Sequence, residues 1–213
     1  ADMVIRIRLS PQNDVCDALV RVSPRPLVTR EWRVCNYEGA LNASVAYGMV
    51  QMLSPRADDV FLNAACGSGS LLIERLMTMP AQSAVGIDHT AEALDCARQN
   101  ISAAHLTMMP QLVTADLHNL PFSPQSFNVL CADLPFGQLV GSHEANRTLY
   151  PAALAELGRV AQPQARLAMI THEIRLMESV LAKQRIWQLE RAVTVTQRGL
   201  HPRIYLMHKV SLV

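Results

Sequence analysis

The sequence contains no uninterrupted apolar run approaching the ~18 residues that would cross a bilayer, and its start carries no basic region followed by an apolar core and a small-residue cleavage site. Neither a membrane span nor a secretory leader is predicted, and a soluble, cytoplasmic protein is expected. The five cysteines, Cys16, Cys35, Cys66, Cys96 and Cys131, include no Cys-x-x-Cys pair, and the seven histidines include no His-x-x-x-His pair. That pattern gives a metal site no support, and the odd cysteine number favours reduced thiols over disulfides. Two nucleotide signatures are also missing. Gly67-Ser68-Gly69 is followed by Leu72 where a dinucleotide fingerprint needs a third glycine, and no Gly-Lys-Ser/Thr occurs. Hydride transfer and triphosphate cradling lose their sequence support. Internal repeats and low-complexity segments are absent.

What is present is a chain of 213 residues, 50% hydrophobic and 17% charged, enough to bury one sizeable core and carry an appendage. Residues 1–33 differ in character from the rest. They comprise an alternating run from Val4 to Leu9, an amphipathic stretch around Val15 to Val22, and the linker prolines Pro24 and Pro26. This appendage is expected to be the remnant of a preceding RNA-binding domain, because the chain starts Ala1-Asp2-Met3 and reads as a piece of a longer protein. A single catalytic domain is expected over 34–213. Charge is unevenly distributed: acidic residues dominate from Cys35 to Ala182, whereas Lys183, Arg185, Arg191, Arg198, Arg203 and Lys209 then face a lone acid, Glu190. A polyanion can lie across such an end.

From residue 43 onward helix and strand patterns alternate with short connections, the mark of a parallel α/β sheet. A helix over 43–53 has Asn42 as N-cap and Pro55 beyond its end. Strands are predicted at 59–64, 84–88, 111–115 and 127–133, with helices after the first two. A helix carrying Leu149, Leu154, Leu157 and Val160 precedes a strand at 166–171, and a helix carrying Ile174, Met177, Val180 and Leu181 precedes two final strands at 186–196 and 203–210. The short connection between those two forces antiparallel pairing. A mostly parallel seven-stranded sheet ending in an antiparallel hairpin, with helices on both faces, is the plan of the Rossmann-like class I methyltransferase fold.

Three strand ends and one turn carry candidate chemistry. "NAACGSGS", residues 63–70, sits where the first strand becomes a helix, and glycine there lets backbone approach a ligand beside free helix N–H groups. Asp88 ends the second strand, where a carboxylate accepts ribose hydroxyls. Asp116 follows the third, within reach of an adenine amino group. Asp133-Leu134-Pro135-Phe136 ends the fourth. In this order the four describe one groove along the carboxyl edge of the sheet.

"FLNAACGSGSLLIE", "GID", "TAD" and "ADLPFG", with "LNASVAYGMV" before them and "RGLHPRIYLM" after, resemble the RNA methyltransferases associated with THUMP domains over roughly residues 33–213. The resemblance implies S-adenosylmethionine as cofactor, tRNA as partner and the exocyclic N2 of guanine as methyl acceptor. It implies a cofactor site made of Asn63, Cys66, Gly67, Ser68, Gly69, Asp88, His89, Asp116 and Leu117, and a catalytic turn made of Asp133, Leu134, Pro135 and Phe136. Asn63 departs from the family's usual aspartate, leaving that position neutral, and the 33 residues before the core hold no convincing THUMP module.

An exocyclic purine amine is a poor nucleophile because its lone pair is delocalised, so its N–H bonds must be polarised and its nitrogen aligned with the sulfonium methyl. Asp133, expected to be ionised at neutral pH, accepts one N–H. The Leu134 or Pro135 carbonyl accepts another, and Phe136 stacks on the base. Such a base must be single-stranded or flipped out. Phe136 also excludes the nucleophilic cysteine that cytosine-C5 enzymes place there. Two alternatives remain open at this stage: another amino methyltransferase, acting on adenine N6 or a protein glutamine, and a catalytically silent RNA-binding protein that retains the fold.

Overall fold

The polypeptide divides into two units, Ala1–Arg30 and Glu31–Val213, in a computed structural model that describes residues 5–9, 16–20, 25–135, 142–196 and 199–210. In the first unit β1 (Ile5–Leu9) and β2 (Cys16–Val20) form an antiparallel ribbon that sets Ile5 opposite Val20 and Ile7 opposite Ala18. Opposed residues share a face, so one face of the ribbon is apolar. Residues 31–33, grouped with the appendage on sequence grounds, lie in the second unit. There Trp32 is buried, and Arg33 Nη2 donates to the Leu41 carbonyl (2.9 Å) and to Ser70 Oγ (2.8 Å).

The second unit runs α1 (Ala43–Met52), β3 (Val60–Ala64), α2 (Ser70–Thr78), β4 (Ser83–Asp88), α3 (Ala91–Ala103), β5 (Gln111–Thr114) and β6 (Phe127–Asp133). It continues with α4 (His143–Val160), β7 (Ala161–Thr171), α5 (Ile174–Lys183), β8 (Trp187–Thr194) and β9 (Arg203–Lys209). Asn42 caps α1 as its sequence position foretold, its Oδ1 accepting the Ser44 N–H at 2.9 Å. The seven strands lie in the order β5-β4-β3-β6-β7-β9-β8, parallel through β7 and antiparallel for β9 and β8. Strand β7 starts five residues earlier than the sequence pattern indicates. Phe127 pairs with Ala161 but Val129 pairs with Arg166, so a bulge carrying Gln164 at φ +61° separates the polar start of the strand from the apolar run on which the pattern depends.

Every central strand is apolar on both faces, because helices cover both. Phe61, Val129, Cys131 and Ala168 pack with residues of α1, α2 and α3, whereas Leu62, Leu130, Ala132 and Leu167 pack with α4 and α5. Each such large side chain, fully withdrawn from water, contributes about 1.5–3 kcal/mol. At the amino edge of the sheet Asp59 is completely buried and binds three groups, Arg75 Nη2 (2.7 Å), the Arg56 N–H (2.9 Å) and Arg166 Nη2. The carboxyl edge is open. Strand order reverses between β3 and β6, the place where an open α/β sheet leaves a crevice. Among the described residues no helix is long and apolar enough to cross a membrane.

Candidate active site

The loop from β3 into α2 is shaped by glycine. Gly67 (φ +52°) and Gly69 (φ +83°) occupy left-handed backbone, and a β-carbon built on Gly67 would meet nothing within 4 Å. Gly67 therefore faces open space that a ligand can enter, and its N–H donates to Asp88 Oδ2 at 2.9 Å. The Cys66 N–H donates to the Ile87 carbonyl at 2.7 Å, so the end of β4 is stitched to the glycine loop. Asp88 Oδ1 accepts from the N–H and Oγ1 of Thr90, both at 3.2 Å. A carboxylate offers about four acceptor positions, and these contacts leave Oδ2 with capacity for a ligand hydroxyl.

One cavity of about 370 Å³ joins the strand ends, a size within the range of small-molecule sites. Of the residues expected in the cofactor site, Cys66, Gly67 and Ser68 enter it from the β3–α2 loop, Asp88 and His89 from β4, and Asp116 and Leu117 from beyond β5. Asp133, Leu134 and Pro135 close it from β6. Asn63 and Gly69 do not line it. Asn63 is wholly buried between Gly86 and Cys131, its Nδ2 on the Ala64 carbonyl and its Oδ1 without a partner. Gly69 serves as N-cap of α2 and sits against Ala97. Phe136 lies outside the described residues.

Sequence reasoning missed one wall. Residues 37–41, Tyr37 to Leu41, line the cavity, and Tyr37 Oη lies 3.2 Å from Thr90 Oγ1. The expectation of reduced thiols is corrected here, because Cys35, just before that wall, forms a disulfide with Cys96 of α3. Packing of α3 against the segment brings together cysteines that stand 61 positions apart, a proximity no local spacing reveals. Asn100 reinforces the join: its Oδ1 accepts the Cys35 N–H, and its Nδ2 reaches the carbonyls of Cys35 and Ser68. His118 was also missed. Its backbone N–H (2.9 Å) and Nδ1 (2.7 Å) meet Asp116 Oδ1, and those bonds hold the Asp116 carboxyl below the usual carboxylate range.

Two expectations about the catalytic turn change. Burial pushes the Asp133 carboxyl up to about 8, so in the ligand-free protein it is mostly a neutral acid at pH 7 rather than a carboxylate. Its Oδ1 is sealed from solvent and has no hydrogen-bond partner, while the residue as a whole stays partly open to the cavity. The Pro135 carbonyl is already engaged, accepting from Asn146 Nδ2 at 3.0 Å and Tyr150 Oη at 2.8 Å. A carbonyl has two lone pairs, so both of Pro135's are taken, while the neighbouring Leu134 is anchored by its N–H on the Ile170 carbonyl at 3.1 Å. Burial also pushes the Cys66 thiol well up, which removes it as a nucleophile at neutral pH.

Residues 30–203 match the UPF0020 family, described as RMKL-like, methyltransferase domain. The chain is 29% identical over 186 residues to the tRNA (guanine(6)-N(2))-methyltransferase THUMP3 of Mus musculus, covering 80% of this chain and 36% of the relative. It thus spans about a third of that relative's length. Among solved structures it resembles TrmN from Thermus thermophilus, with a TM-score of 0.80, 24% identity, and coverage of 97% of this chain and 60% of that one. It also resembles the magnesium protoporphyrin IX methyltransferase ChlM of Synechocystis PCC 6803 with bound SAM, with a TM-score of 0.64, 18% identity, and coverage of 84% and 89%. The fold is that of the class I methyltransferases.

Proposed function

We propose, since the chain belongs to the UPF0020 family of RMKL-like methyltransferase domains, that it transfers a methyl group from S-adenosylmethionine to the exocyclic N2 of guanine in tRNA. The observation that carries this reading is Asp133 Oδ1, a buried acceptor without a donor, on the wall of the same cavity that Asp88 and Gly67 line. The cavity fits the cofactor by its own chemistry. Gly67 leaves space where a side chain would stand, Asp88 Oδ2 has capacity for ribose hydroxyls, and Asp116 can accept from an adenine amino group. When bound, the cofactor supplies an electrophilic methyl on a sulfonium.

This chain's residues do the rest. Asp133 and the Leu134 carbonyl accept the two N–H bonds of the amine, which orients its nitrogen and raises its electron density. Nitrogen gains a carbon and must lose a proton, and an ionised Asp133 is the nearest base to take it. The guanine-N2 specificity in the names of the mouse relative and its kin supports the choice of acceptor. An RNA partner and a cytoplasmic location, where tRNA and the methyl donor occur together, form part of the proposal.

The test is transfer of labelled methyl to a bulk tRNA pool, followed by digestion and mass spectrometry of the nucleosides. N2-methylguanosine is expected, and label confined to N6-methyladenosine or absent from RNA overturns the reading. Asp133→Ala should reduce transfer by about a hundredfold or more, with calorimetric affinity for the cofactor near the parent value.

A further inference from the structure

We infer that Tyr150 and Asn146 of α4, backed by Thr171 at the end of β7, are positioning residues that hold the Pro135 carbonyl away from the substrate and so aim Asp133 and Leu134 at the amine. The inference rests on the function proposed above and names residues that sequence reasoning did not single out.

The hydrogen bonds run in one direction. The Glu173 N–H donates to Thr171 Oγ1 at 3.0 Å. Thr171 Oγ1 and Tyr150 Oη are hydrogen-bonded, and Tyr150 Oη lies 2.8 Å from the Pro135 carbonyl. Tyr150 has one proton and the carbonyl has none. Tyr150 therefore donates to Pro135, and Thr171 donates to Tyr150. Asn146 Nδ2 fills the second lone pair of the same carbonyl at 3.0 Å. Asn146, Tyr150 and Thr171 are each completely buried, so no water competes for these bonds, and serial donors polarise one another in a low-dielectric interior. Asn146 Oδ1 is left without a partner.

The geometric consequence follows from the shortness of the turn. Leu134 is tied to β7 through its N–H on Ile170, and Pro135 has a fixed φ and no N–H of its own. With the Leu134 N–H anchored on one side and the Pro135 carbonyl pinned by two donors from α4 on the other, the peptide plane between Leu134 and Pro135 is restrained from both sides. Its oxygen, the Leu134 carbonyl, is then restrained relative to the adjacent Asp133 carboxyl. Without the clamp the plane can turn, and misplacing an acceptor by about 1 Å costs up to a hundredfold in rate.

The experiment is single-turnover methyl transfer to tRNA by the full chain, with cofactor affinity measured by calorimetry on the same samples. Tyr150→Phe removes only the hydroxyl. Thr171→Val removes the donor behind it, whereas Thr171→Ser keeps that donor. Tyr150→Phe and Thr171→Val should slow transfer about ten- to hundredfold with cofactor affinity changed less than about twofold, and Thr171→Ser should restore the parent rate. Where Tyr150→Phe does not fold, the Thr171 pair decides. A parent protein that transfers no methyl group overturns the proposed function and this inference with it. A fully active parent beside an equally fast Thr171→Val or Tyr150→Phe overturns the inference alone, as does a rate loss matched by an equal loss of cofactor affinity.

Discussion

Asp133 is a carboxyl group whose Oδ1 is sealed from solvent, and that burial governs its chemistry before any substrate arrives. An unfolded aspartate titrates near 3.9, whereas burial pushes this one up to about 8 in the folded chain. Between those values the folded protein holds a proton that the unfolded chain has released, so stability falls as pH rises from about 4 to about 8. The amide of Asp133→Asn keeps the shape without the titration. The variant should therefore match the parent near pH 4 and exceed it at pH 9 by on the order of several kcal/mol, read as a widening gap in melting temperature. A gap independent of pH would contradict the burial of this carboxyl. For the same reason kcat/KM, which reports the free enzyme, should climb toward pH 8 as the acceptor ionises and then level off. The positions of Asp88, Asp116 and Asp133 were legible in the sequence because each follows an apolar strand run into a turn. The protonation of Asp133 was not legible, since it depends on what surrounds the group rather than on its neighbours in the chain. His118, Tyr150 and Asn146 stayed hidden for a related reason: each acts across the fold on a residue that no periodic pattern links to it.

At the scale of elements the wall formed by residues 37–41 shows what hydrophobic periodicity leaves out. It has neither helical nor strand pattern, and it is held in place by tertiary bonds: Arg33 on Ser70, Tyr37 on Thr90, Asn100 on Cys35 and the Cys35–Cys96 disulfide. The helices around it were legible from apolar residues at helical spacing and the strands from short apolar runs bounded by turn residues, and β7 was misjudged only at its polar, bulged start. The disulfide closes a span of 61 residues, and cross-links of that size contribute about 2–4 kcal/mol by restricting the unfolded chain. Reduction by a thiol should lower the denaturant midpoint accordingly. Because the Asn100 hydrogen bonds survive reduction, cofactor affinity should weaken by less than about tenfold, each lost neutral hydrogen bond or restraint being worth ~1 kcal/mol. Superimposable denaturation curves with and without reductant would show that the pair does not restrain the fold. With the pair reduced, Asn100 alone still ties Cys35 to the carbonyl of Ser68 and holds the wall of the cavity.

Across the whole molecule the two edges of the sheet do different work. The amino edge is locked by Asp59 and its two arginines, whereas the carboxyl edge carries the cavity. Charge is divided as well, with most of the carboxylates before residue 183 and the basic excess after it. Within that basic segment the structure separates engaged cations from exposed ones. Arg203 pairs with Glu178, and Lys209 Nζ donates to the Ala161 carbonyl, whereas Lys183, Arg185 and Arg191 are exposed. Arg198 lies outside the described residues. A phosphate backbone gains most from cations that need not abandon a protein partner, so Lys183, Arg185 and Arg191 are the ones expected to meet RNA. Each phosphate neutralised contributes a slope of about −0.7 to −0.9 in log affinity against log salt. Replacing Arg185 and Arg191 by glutamine should flatten the slope for tRNA by about 1.5 and weaken binding to unrelated RNA sequences to a similar degree. Arg203→Gln should change the slope by less than either, because its charge is already balanced by Glu178. Equal slopes for the parent and the double variant would mean that RNA approaches by another face, and a steeper effect from Arg203 would mean that its ion pair opens when RNA binds.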